Sequence, residues 1–461
     1  MNTDTIAAIA TALSNAGIGI VRISGEKALE VGDNVFRTPG GRRILREVES
    51  HTIHYGYVVN PSKENEIVDE VMVSVMRKPR SFTAEDTVEI HCHGGVLVIQ
   101  KILELVCQNK ARLAEPGEFT KRAFLNGRID LSKAEAVMDL IHSQNELALK
   151  CSVNQLQGRL SDKIRLLREN LIYEIAFIES ALDDPEHISL EGYPATLYQK
   201  ICDIKNEINA LIATSSNGRL IKEGISTVIL GKPNVGKSSL LNMLLGEDRA
   251  IVTDIAGTTR DVLQESISLN GIHLNIVDTA GIRATEDVVE KIGVEKAKKY
   301  AEDADLILCV VDASQELDDS DREIFSLIDD KKSIILFNKS DLEQRVEEEQ
   351  ILALHKGILI RTSTKDGSGM EELCAAIQKM FFEGVIKSQE EPVITNLRHR
   401  KALEDASESL ELVLKSIEDD MPEDFYSIDL MSAYSSLGLI IGEEVEDDLM
   451  DEIFGKFCMG K

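Results

Sequence analysis

Residues 231–238 read Gly231-Lys232-Pro233-Asn234-Val235-Gly236-Lys237-Ser238, a glycine-rich stretch that fits the phosphate-binding loop pattern. The β-branched apolar run 225–230 before it predicts a buried strand, and the leucine-rich run 239–245 after it predicts a helix. In that context backbone N–H groups and the positive end of the helix can surround an anion. Lys237 can then reach the outer phosphates of a nucleotide, and the Ser238 hydroxyl can ligate Mg²⁺.

The charge of the chain limits how it can bind nucleic acid. Its 461 residues include 80 Asp and Glu against 51 Lys and Arg, a formal net charge of −29. This excess argues against a protein that coats nucleic acid by bulk charge, so any RNA contact must be local. The basic clusters are interpreted as solvated faces, with local binding patches as the alternative: Arg42-Arg43, Lys121-Arg122 with Arg128, and Arg398-His399-Arg400-Lys401.

Cysteine spacing and hydropathy indicate the compartment. The seven cysteines are spread singly, without a C-x-x-C pair, which favours a reduced cytoplasmic setting without disulfides. No apolar run approaches the roughly 18 to 20 residues of a membrane span. We therefore expect a cytoplasmic protein with no membrane contact. The run His91-Cys92-His93 is interpreted as part of a strand and not as a metal site.

Hydrophobic periodicity predicts several domains. A mixed α+β pattern extends to Glu118, and helical stripes follow, with Ser132-Lys133-Ala134-Glu135 predicted to cap one helix and Ser215-Ser216-Asn217-Gly218 predicted to break another. Strands and helices then alternate, as in a doubly wound parallel sheet, before helical spacing returns. The predicted fold is α/β and α multidomain, with domains at 1–118, 119–219, 220–380 and 381–461, the third inserted into a helical domain formed by the second and fourth.

Further stretches indicate a guanine nucleotide. The carboxylate of Asp341, in Asn338-Lys339-Ser340-Asp341, can accept two hydrogen bonds from the N–H and NH₂ edge of guanine, which adenine lacks. Asp278, in Asp278-Thr279-Ala280-Gly281, can hold Mg²⁺ through water, with the Gly281 N–H near the terminal phosphate. The Thr258 and Thr259 hydroxyls can complete the magnesium site, and Ser363-Thr364-Lys365 can support the base. The order and spacing of this set predict a Ras-like P-loop G domain that binds GTP.

The residue that would orient the attacking water is less evident. Ile282 follows Gly281, at the position where Ras-like enzymes carry a glutamine. The nearby carboxylates are Glu286, Asp287 and Glu290, and the residues alone do not single out one of them.

Over its whole length the chain resembles the MnmE (TrmE) family of tRNA-modification GTPases. Beyond the nucleotide motifs, the resemblance rests on Ala114-Glu115-Pro116-Gly117-Glu118-Phe119, on Arg122-Ala123-Phe124-Leu125-Asn126, and on the carboxyl terminus Phe457-Cys458-Met459-Gly460-Lys461. It implies an amino-terminal domain that binds tetrahydrofolate and dimerises, a helical domain, and an inserted G domain.

The resemblance also implies an activity. Family members add an aminomethyl or carboxymethylaminomethyl group to carbon 5 of the wobble uridine of certain tRNAs. They act as a homodimer that forms a heterotetramer with MnmG (GidA), a partner that uses FAD and NADH. A folate, 5-formyl- or 5,10-methylene-tetrahydrofolate, supplies the one-carbon unit.

Site residues follow from the resemblance, position by position. Asn234, Thr253, Ile255 and Thr258 would ligate K⁺, whose charge would replace that of an arginine finger, and Ser238 and Thr259 would ligate Mg²⁺. Glu290 would position water, and Cys458 is a candidate for chemistry on the uridine or the one-carbon unit. Arg22, Glu89, Arg128 and Lys461 would bind the folate. The complete set expected at GTP is Asn234, Val235, Gly236, Lys237, Ser238, Ser239, Thr253, Asp254, Ile255, Ala256, Gly257, Thr258, Thr259, Asp278, Thr279, Ala280, Gly281, Asn338, Lys339, Asp341, Ser363, Thr364 and Lys365.

Two other functions stay open on the sequence. One is a GTPase that assembles ribosomes by binding rRNA, which would need a basic RNA-binding module that this acidic chain does not suggest. The other is a GTP-gated scaffold without modification chemistry, which would not need Cys458 or Lys461.

Overall fold

The computed structural model describes residues 4–247, 264–269, 271–277, 299–329, 331–387, 392–443, 447–457 and 460. The chain divides into two compact units. The first contains residues 1–138, 155–175 and 434–461, and the second contains residues 139–154 and 176–433.

A seven-stranded sheet forms the centre of the first unit, in the order β3-β4-β5-β6-β2-β1-β7. Its strands are β1 (Ile6–Ile9), β2 (Ala16–Ser24), β3 (Phe36–Arg37), β4 (Thr52–Asn60), β5 (Glu66–Met76), β6 (Thr87–Gly94) and β7 (Arg112–Leu113). Helices α1 (Ala28–Val35) and α2 (Val96–Gln108) pack their apolar residues on the sheet, where Ile23, Ile90 and Ile102 are fully buried. This arrangement confirms the α+β prediction.

The helical part begins with three short and two long helices. They are α3 (Glu118–Leu125), α4 (Leu131–His142), α5 (Glu146–Leu156), α6 (Arg159–Asp183) and α7 (Tyr193–Glu223). Helix α8 (Lys237–Glu247) comes after the next strand and belongs to the second unit. The prediction that Ser132 caps α4 is wrong. Asp130 does so, because its Oδ1 accepts hydrogen bonds from the Lys133 N–H at 3.0 Å and from the Ser132 hydroxyl at 2.7 Å.

The predicted helix break at 215–218 is also wrong, because α7 continues without interruption to Glu223. Ser215 and Gly218 are buried, and a Cβ on Gly218 would lie 2.0 Å from the Ile394 carbonyl oxygen. The small residues therefore admit a neighbouring segment to the helix surface instead of ending the helix. The helix ends at Gly224, whose φ of 85° few other residues adopt.

A six-stranded sheet in the second unit has the order β13-β12-β11-β8-β10-β9. Its strands are β8 (Ile225–Leu230), β9 (Gln264–Leu269), β10 (Ile272–Val277), β11 (Leu306–Asp312), β12 (Ser333–Asn338) and β13 (Ile358–Arg361), with helices α9 (Asp319–Ile328), α10 (Glu348–Leu354) and α11 (Met370–Lys387). All pairings are parallel except that of β9 with β10. Buried side chains form a core on each face of the sheet, which confirms the doubly wound prediction.

Three helices follow this sheet in sequence: α12 (Leu397–Glu418), α13 (Glu423–Ile441) and α14 (Asp447–Gly455). Helix α12 runs antiparallel to α7. The Ser407 hydroxyl bonds the Asn209 side chain at 3.0 Å, the Tyr198 hydroxyl donates to Glu418 at 2.9 Å, and Lys205 pairs with Glu411. A helix that precedes the inserted sheet in sequence thus packs against a helix that follows it, as predicted. The predicted boundaries at 219/220 and 380/381 fall inside α7 and α11.

Candidate functional site

The loop between β8 and α8 has the backbone of an anion-binding turn. Gly231 and Gly236 have φ angles of 150° and 105°, and Asn234 has a φ of 64°. A Cβ on Gly231 would lie 2.5 Å from the Val310 carbonyl oxygen, and one on Gly236 would lie 2.2 Å from the Asn338 side-chain nitrogen. Both glycines are therefore required by close approach as well as by conformation.

Lys237 is held inside this loop. Its ammonium donates to the Gly231 carbonyl at 2.5 Å and to the Lys232 carbonyl at 2.6 Å. An ammonium has three N–H donors, so one remains for an anion at the start of α8. Burial lowers the pKa of Lys237, and a bound phosphate would offset that effect. Ser238 and Ser239, the next two residues, are exposed at the same helix end.

Lys232 ties the first part of the loop to α9. Its ammonium lies 2.7 Å from Asp321 and 2.9 Å from Asp318, and Asp318 caps α9 through the N–H groups of Ser320 and Asp321. Burial works against the charged form of Lys232, but the two carboxylates prevail and raise its pKa. This cation is committed to structure, which leaves Lys237 as the loop lysine for phosphates.

Asn338 joins three loops. Its side-chain nitrogen donates to the Val235 carbonyl at 2.8 Å, its side-chain oxygen accepts from the Thr364 N–H at 3.3 Å, and the residue is 1 % exposed. The phosphate loop, the end of β12 and the loop after β13 are thereby fixed to one another. Val235 is buried beside this bond.

The remaining residues of the Asn338 loop are also fixed. Lys339 pairs with Asp312 at 2.5 Å; although burial works against ionisation of Asp312, hydrogen bonds from Lys339 and Ser314 lower its pKa. Asp341 accepts from the Ser363 hydroxyl at 3.2 Å and lies 3.8 Å from the Lys365 ammonium. The Asp341 carboxylate thus stands among the residues predicted to support a base.

The other nucleotide residues lie outside the described residues. They are Thr253, Asp254, Ile255, Ala256, Gly257, Thr258, Thr259, Asp278, Thr279, Ala280 and Gly281. The same is true of Glu290, Cys458 and Lys461.

A second cluster lies on the sheet of the first unit. The Arg22 guanidinium pairs with Glu89 through Nε at 2.7 Å and donates to the Gly460 carbonyl at 3.3 Å. It also lies over the rings of Phe82 and Phe119, at 5.9 and 5.6 Å from their centroids. Strand pairing places Arg22 opposite Glu89, so the register of β2 and β6 positions the pair.

Arg128 completes this cluster. Its guanidinium lies 5.3 Å from the centroid of the same Phe82 ring, and the residue is exposed. The structure therefore brings together Arg22, Glu89 and Arg128, three of the four residues expected at a folate. Gly460, the neighbour of the fourth in sequence, lies against Arg22.

Comparison with known proteins gives the family. Residues 131–458 match the family model of the MnmE helical domain, and residues 5–128 match that of the GTP-binding protein TrmE N-terminus. The tRNA modification GTPase MnmE of Lachnoclostridium phytofermentans is 58% identical over 461 residues, covering 100% of both chains. The chain belongs to the MnmE family of tRNA modification GTPases. Proteins of the same description from Acetivibrio thermocellus and Clostridioides difficile are each 50% identical, over 99% of both chains. Among the helices that the structure describes, none has the length and apolar composition needed to cross a membrane.

Sequence reasoning missed Phe82, whose ring contacts both guanidinium groups of the second cluster. Phe82 also packs against a small apolar cluster that contains Ile6 and Phe119. Phe119 could have been found from the sequence, because it stands in one of the stretches that identify the MnmE family. Phe82 itself has no such signal, because it lies in an irregular loop.

The interpretation of Arg122 as a solvated cation is wrong. The residue is 7 % exposed, and its guanidinium contacts Asp4 at 2.7 Å, Glu118 at 2.9 Å and Glu85 at 3.3 Å. Arg112 pairs with Asp4 and Glu118 as well, at 2.7 and 2.6 Å. The available signal was the i, i+4 spacing of Glu118 and Arg122 on a predicted helix.

The His91-Cys92-His93 run lies in β6, as predicted. His93 bonds Asp69 at 2.7 Å, which raises the pKa of His93, and His91 lies 3.7 Å from Glu89. No group of three or more His, Cys, Asp or Glu in the described part of the chain is arranged to hold a metal.

Proposed function

We propose that this chain hydrolyses GTP and uses that reaction in adding an aminomethyl or carboxymethylaminomethyl group to carbon 5 of the wobble uridine of tRNA. The observation that carries the first half is the Asn338 amide, which bonds both the phosphate loop and the loop of Thr364. A triphosphate on Lys237 would then have its base beside Asp341. Membership in the MnmE family supports the second half.

Guanine recognition rests on Asp341. Its carboxylate is anchored by one hydrogen bond from Ser363, and a carboxyl group has about four lone-pair directions, so capacity remains for the two donors of guanine. The Lys365 ammonium lies 3.8 Å from the same carboxylate.

Two cations fit the phosphate loop. The Ser238 hydroxyl is exposed at the amino end of α8, where it would ligate Mg²⁺ together with Thr259. Asn234 is exposed and has a left-handed backbone, so its side-chain oxygen is available to K⁺, with Thr253, Ile255 and Thr258 as further ligands. When bound, K⁺ would supply positive charge at the phosphates. Glu290 would hydrogen-bond the attacking water, because the apolar side chain of Ile282 cannot do so.

The Arg22 cluster fits a folate. The half-buried Phe82 ring offers a surface for a flat heterocycle, and the Glu89 carboxylate can accept from an amino-pyrimidine edge. The exposed Arg128 guanidinium can bind the carboxylates of the tail, and Lys461 would add a further cation. When bound, the folate supplies the one-carbon unit, and Cys458 is the candidate nucleophile in that reaction.

The proposal includes three partners. The chain would act as a homodimer, bind MnmG (GidA), which would bring FAD and NADH, and bind tRNA. These assignments rest on the family.

The test of the whole proposal is the chemistry of the wobble nucleoside. In cells that lack this protein, mass analysis of digested tRNA should show loss of the modified uridines, and the intact gene should restore them. Unchanged nucleosides together with misassembled ribosomes would overturn the proposal in favour of a ribosome-assembly GTPase.

The folate half has its own test. Arg22→Ala should weaken the binding of 5-formyl-tetrahydrofolate, measured by calorimetry, and leave GTP affinity unchanged. Lys110→Ala, which removes an exposed cation in the same unit, is the control and should change neither. Equal folate affinity in wild type and Arg22→Ala would remove Arg22 from the site.

A further inference from the structure

Two loops of the first unit carry basic residues without intervening acidic ones. The stretch 37–46 contains four arginines and the stretch 77–80 contains two arginines and a lysine, and neither contains Asp or Glu. We call Arg42, Arg43, Arg46, Arg77, Lys78 and Arg80 the arginine patch. This concentration is unusual in a chain whose net charge is −29.

Hydrogen bonds join the two loops into one surface. The Arg77 guanidinium donates to the carbonyls of Arg46 at 2.8 Å and of Val48 at 3.0 Å, and the Arg77 N–H donates to the Ser50 hydroxyl at 2.9 Å. Arg77 is half-buried by these contacts, while the other five residues of the arginine patch are exposed. Burial, and next the positive charge of Arg43, lower the pKa of Arg37, so like charges stand close together here.

The cationic side chains of the arginine patch form no ion pair with a carboxylate in the part of the chain that the structure describes. Among the described residues, none of its six cationic side-chain groups has a carboxylate oxygen within 4.0 Å, whereas surface cations elsewhere do, such as Arg400 with Glu404 and Lys401 with Asp405. The acidic residues nearest in sequence are Glu47 and Glu49, and neither carboxylate lies within 4.0 Å of a cationic group of the patch as the structure describes it. Asp33 accepts from the Leu45 N–H at 2.8 Å, and Asp86 accepts from the backbone N–H of Lys78 at 2.9 Å.

The arginine patch lies next to the Arg22 cluster in the chain. The loop that begins with Arg77, Lys78 and Arg80 continues directly to Phe82, the ring that contacts Arg22 and Arg128. Two backbone hydrogen bonds hold the loop between these points, from the N–H groups of Arg80 and Ser81 to the carbonyls of Arg77 and Pro79. A ligand on the patch would therefore lie one short loop from that cluster.

We propose that the arginine patch binds the phosphate backbone of tRNA and holds the substrate beside the Arg22 cluster. This inference rests on the proposed function and names the RNA-docking surface that an acidic chain requires. Arginine suits the role because its planar fork bonds two phosphate oxygens at once. The two stretches expose no large apolar side chain, so the patch lacks the apolar anchor that a protein interface uses at its centre.

The test is the salt dependence of tRNA binding by the full-length protein. Arg42→Gln, Arg43→Gln, Lys78→Gln and Arg80→Gln are combined, and Arg77 is kept because it holds the loop carbonyls. Binding of fluorescent bulk tRNA should weaken more than about 10-fold near physiological salt. The slope of log K against log salt should become shallower by about 3 to 4, because each lost phosphate contact contributes about 0.9.

A matched control separates the patch from bulk charge. Lys101, Lys356, Lys379 and Lys415, all exposed and outside the patch, are changed together to Gln for the same loss of four charges. This control should keep the wild-type slope, and both variants should keep wild-type GTP hydrolysis.

Three results would count against the proposal. An unchanged slope and affinity in the patch variant would overturn the patch assignment and leave the proposed function intact. Wild-type protein that binds no tRNA at any salt, alone or with MnmG, would instead overturn the proposed function. Weaker binding of MnmG with unchanged binding of tRNA would assign the patch to that protein and overturn the RNA assignment.

Discussion

On the proposed function, Asp341 determines which base the site accepts, because its carboxylate would accept the hydrogen bonds of the guanine edge. Asp341→Asn replaces a double acceptor with one donor and one acceptor. GTP affinity should then fall about 100-fold, since two charge-assisted hydrogen bonds are lost or weakened. Xanthosine triphosphate, which carries a carbonyl where guanine has its amino group, should gain affinity. Competition with a fluorescent nucleotide measures both changes.

The control for this substitution is Asp366→Asn. Asp366 is an exposed carboxylate in the same loop as Lys365, and it bonds the Ser368 N–H at 3.0 Å. It should leave the preference for GTP unchanged. A wild-type preference in Asp341→Asn would show that another group reads the base.

Glu118 links the ion network of the first unit to pH. Burial works against its ionisation, but Arg112, the Glu115 N–H and Arg122 lower the pKa of Glu118 below 4.5. A lowered carboxyl pKa gives stability that is present above the unfolded value and lost as pH falls through the folded value. Glu118→Gln should therefore destabilise this region by about 2 kcal/mol at pH 7. The cost should shrink at acid pH, as the pH falls through this lowered pKa and the wild-type carboxyl is itself protonated.

Hydrogen exchange of residues 112–125, followed by mass spectrometry at neutral and at acid pH, measures this effect. Glu115→Gln removes the same charge at an exposed position three residues away and should change little. Equal exchange for Glu118→Gln and wild type at neutral pH would contradict a stabilising network.

At the scale of elements, α7 is the helix against which the returning chain packs. The Ile394 N–H donates to the Thr214 hydroxyl at 3.0 Å, and the Ile394 carbonyl faces Gly218. Gly218→Ala would normally stabilise a helix by about 1 kcal/mol. Here the added methyl meets a backbone oxygen, and overpacking of this kind costs about 1 to 3 kcal/mol. The Ile394 amide should then exchange its hydrogen at least several-fold faster.

Ser216→Ala is the matched control, because Ser216 is exposed on the same turn of α7. It raises helix propensity without touching the segment 392–396, so exchange at Ile394 should stay at the wild-type rate. Slower exchange in Gly218→Ala would mean that the segment tolerates the methyl and that propensity dominates.

These residues also show what the sequence could and could not predict. Strands β8, β10, β11 and β12 follow from apolar runs, as in Leu306–Asp312, where every residue is buried. The phosphate loop follows from its motif. Gly218 was misinterpreted because its partner is Ile394, far along the chain. Arg122 was misinterpreted because Asp4 and Glu85 lie 118 and 37 residues away. Contacts of such separation leave no periodicity to detect.

The end of α7 also contacts the central part of the G domain. The Asn275 side chain donates to the Glu223 carbonyl at 2.6 Å, and a Cβ on Gly224 would lie 2.6 Å from the His273 ring. Burial lowers the pKa of His273, so this contact stays uncharged near neutral pH. Strand β10 lies in sequence between the segment that carries Thr259 and the segment that carries Asp278. The end of α7 therefore contacts a strand that connects these two segments.

At the scale of the whole molecule, hydrolysis should depend on K⁺, because Ile282 leaves the site without the usual glutamine and Asn234 offers an exposed oxygen at the phosphate loop. Turnover of GTP should rise steeply when K⁺ replaces Na⁺ at constant ionic strength, and Asn234→Ala should flatten that response.

Alanine is strained at the Asn234 φ of 64° by about 1 kcal/mol, so Asn234→Gly is tested as well. Glycine removes the oxygen without strain, and the two variants should respond alike if the oxygen is a K⁺ ligand. Asn242→Ala, exposed on α8, should keep the full response. Equal wild-type rates in both salts would contradict the role of K⁺, whereas loss of the response in Asn234→Ala alone would attribute it to backbone strain.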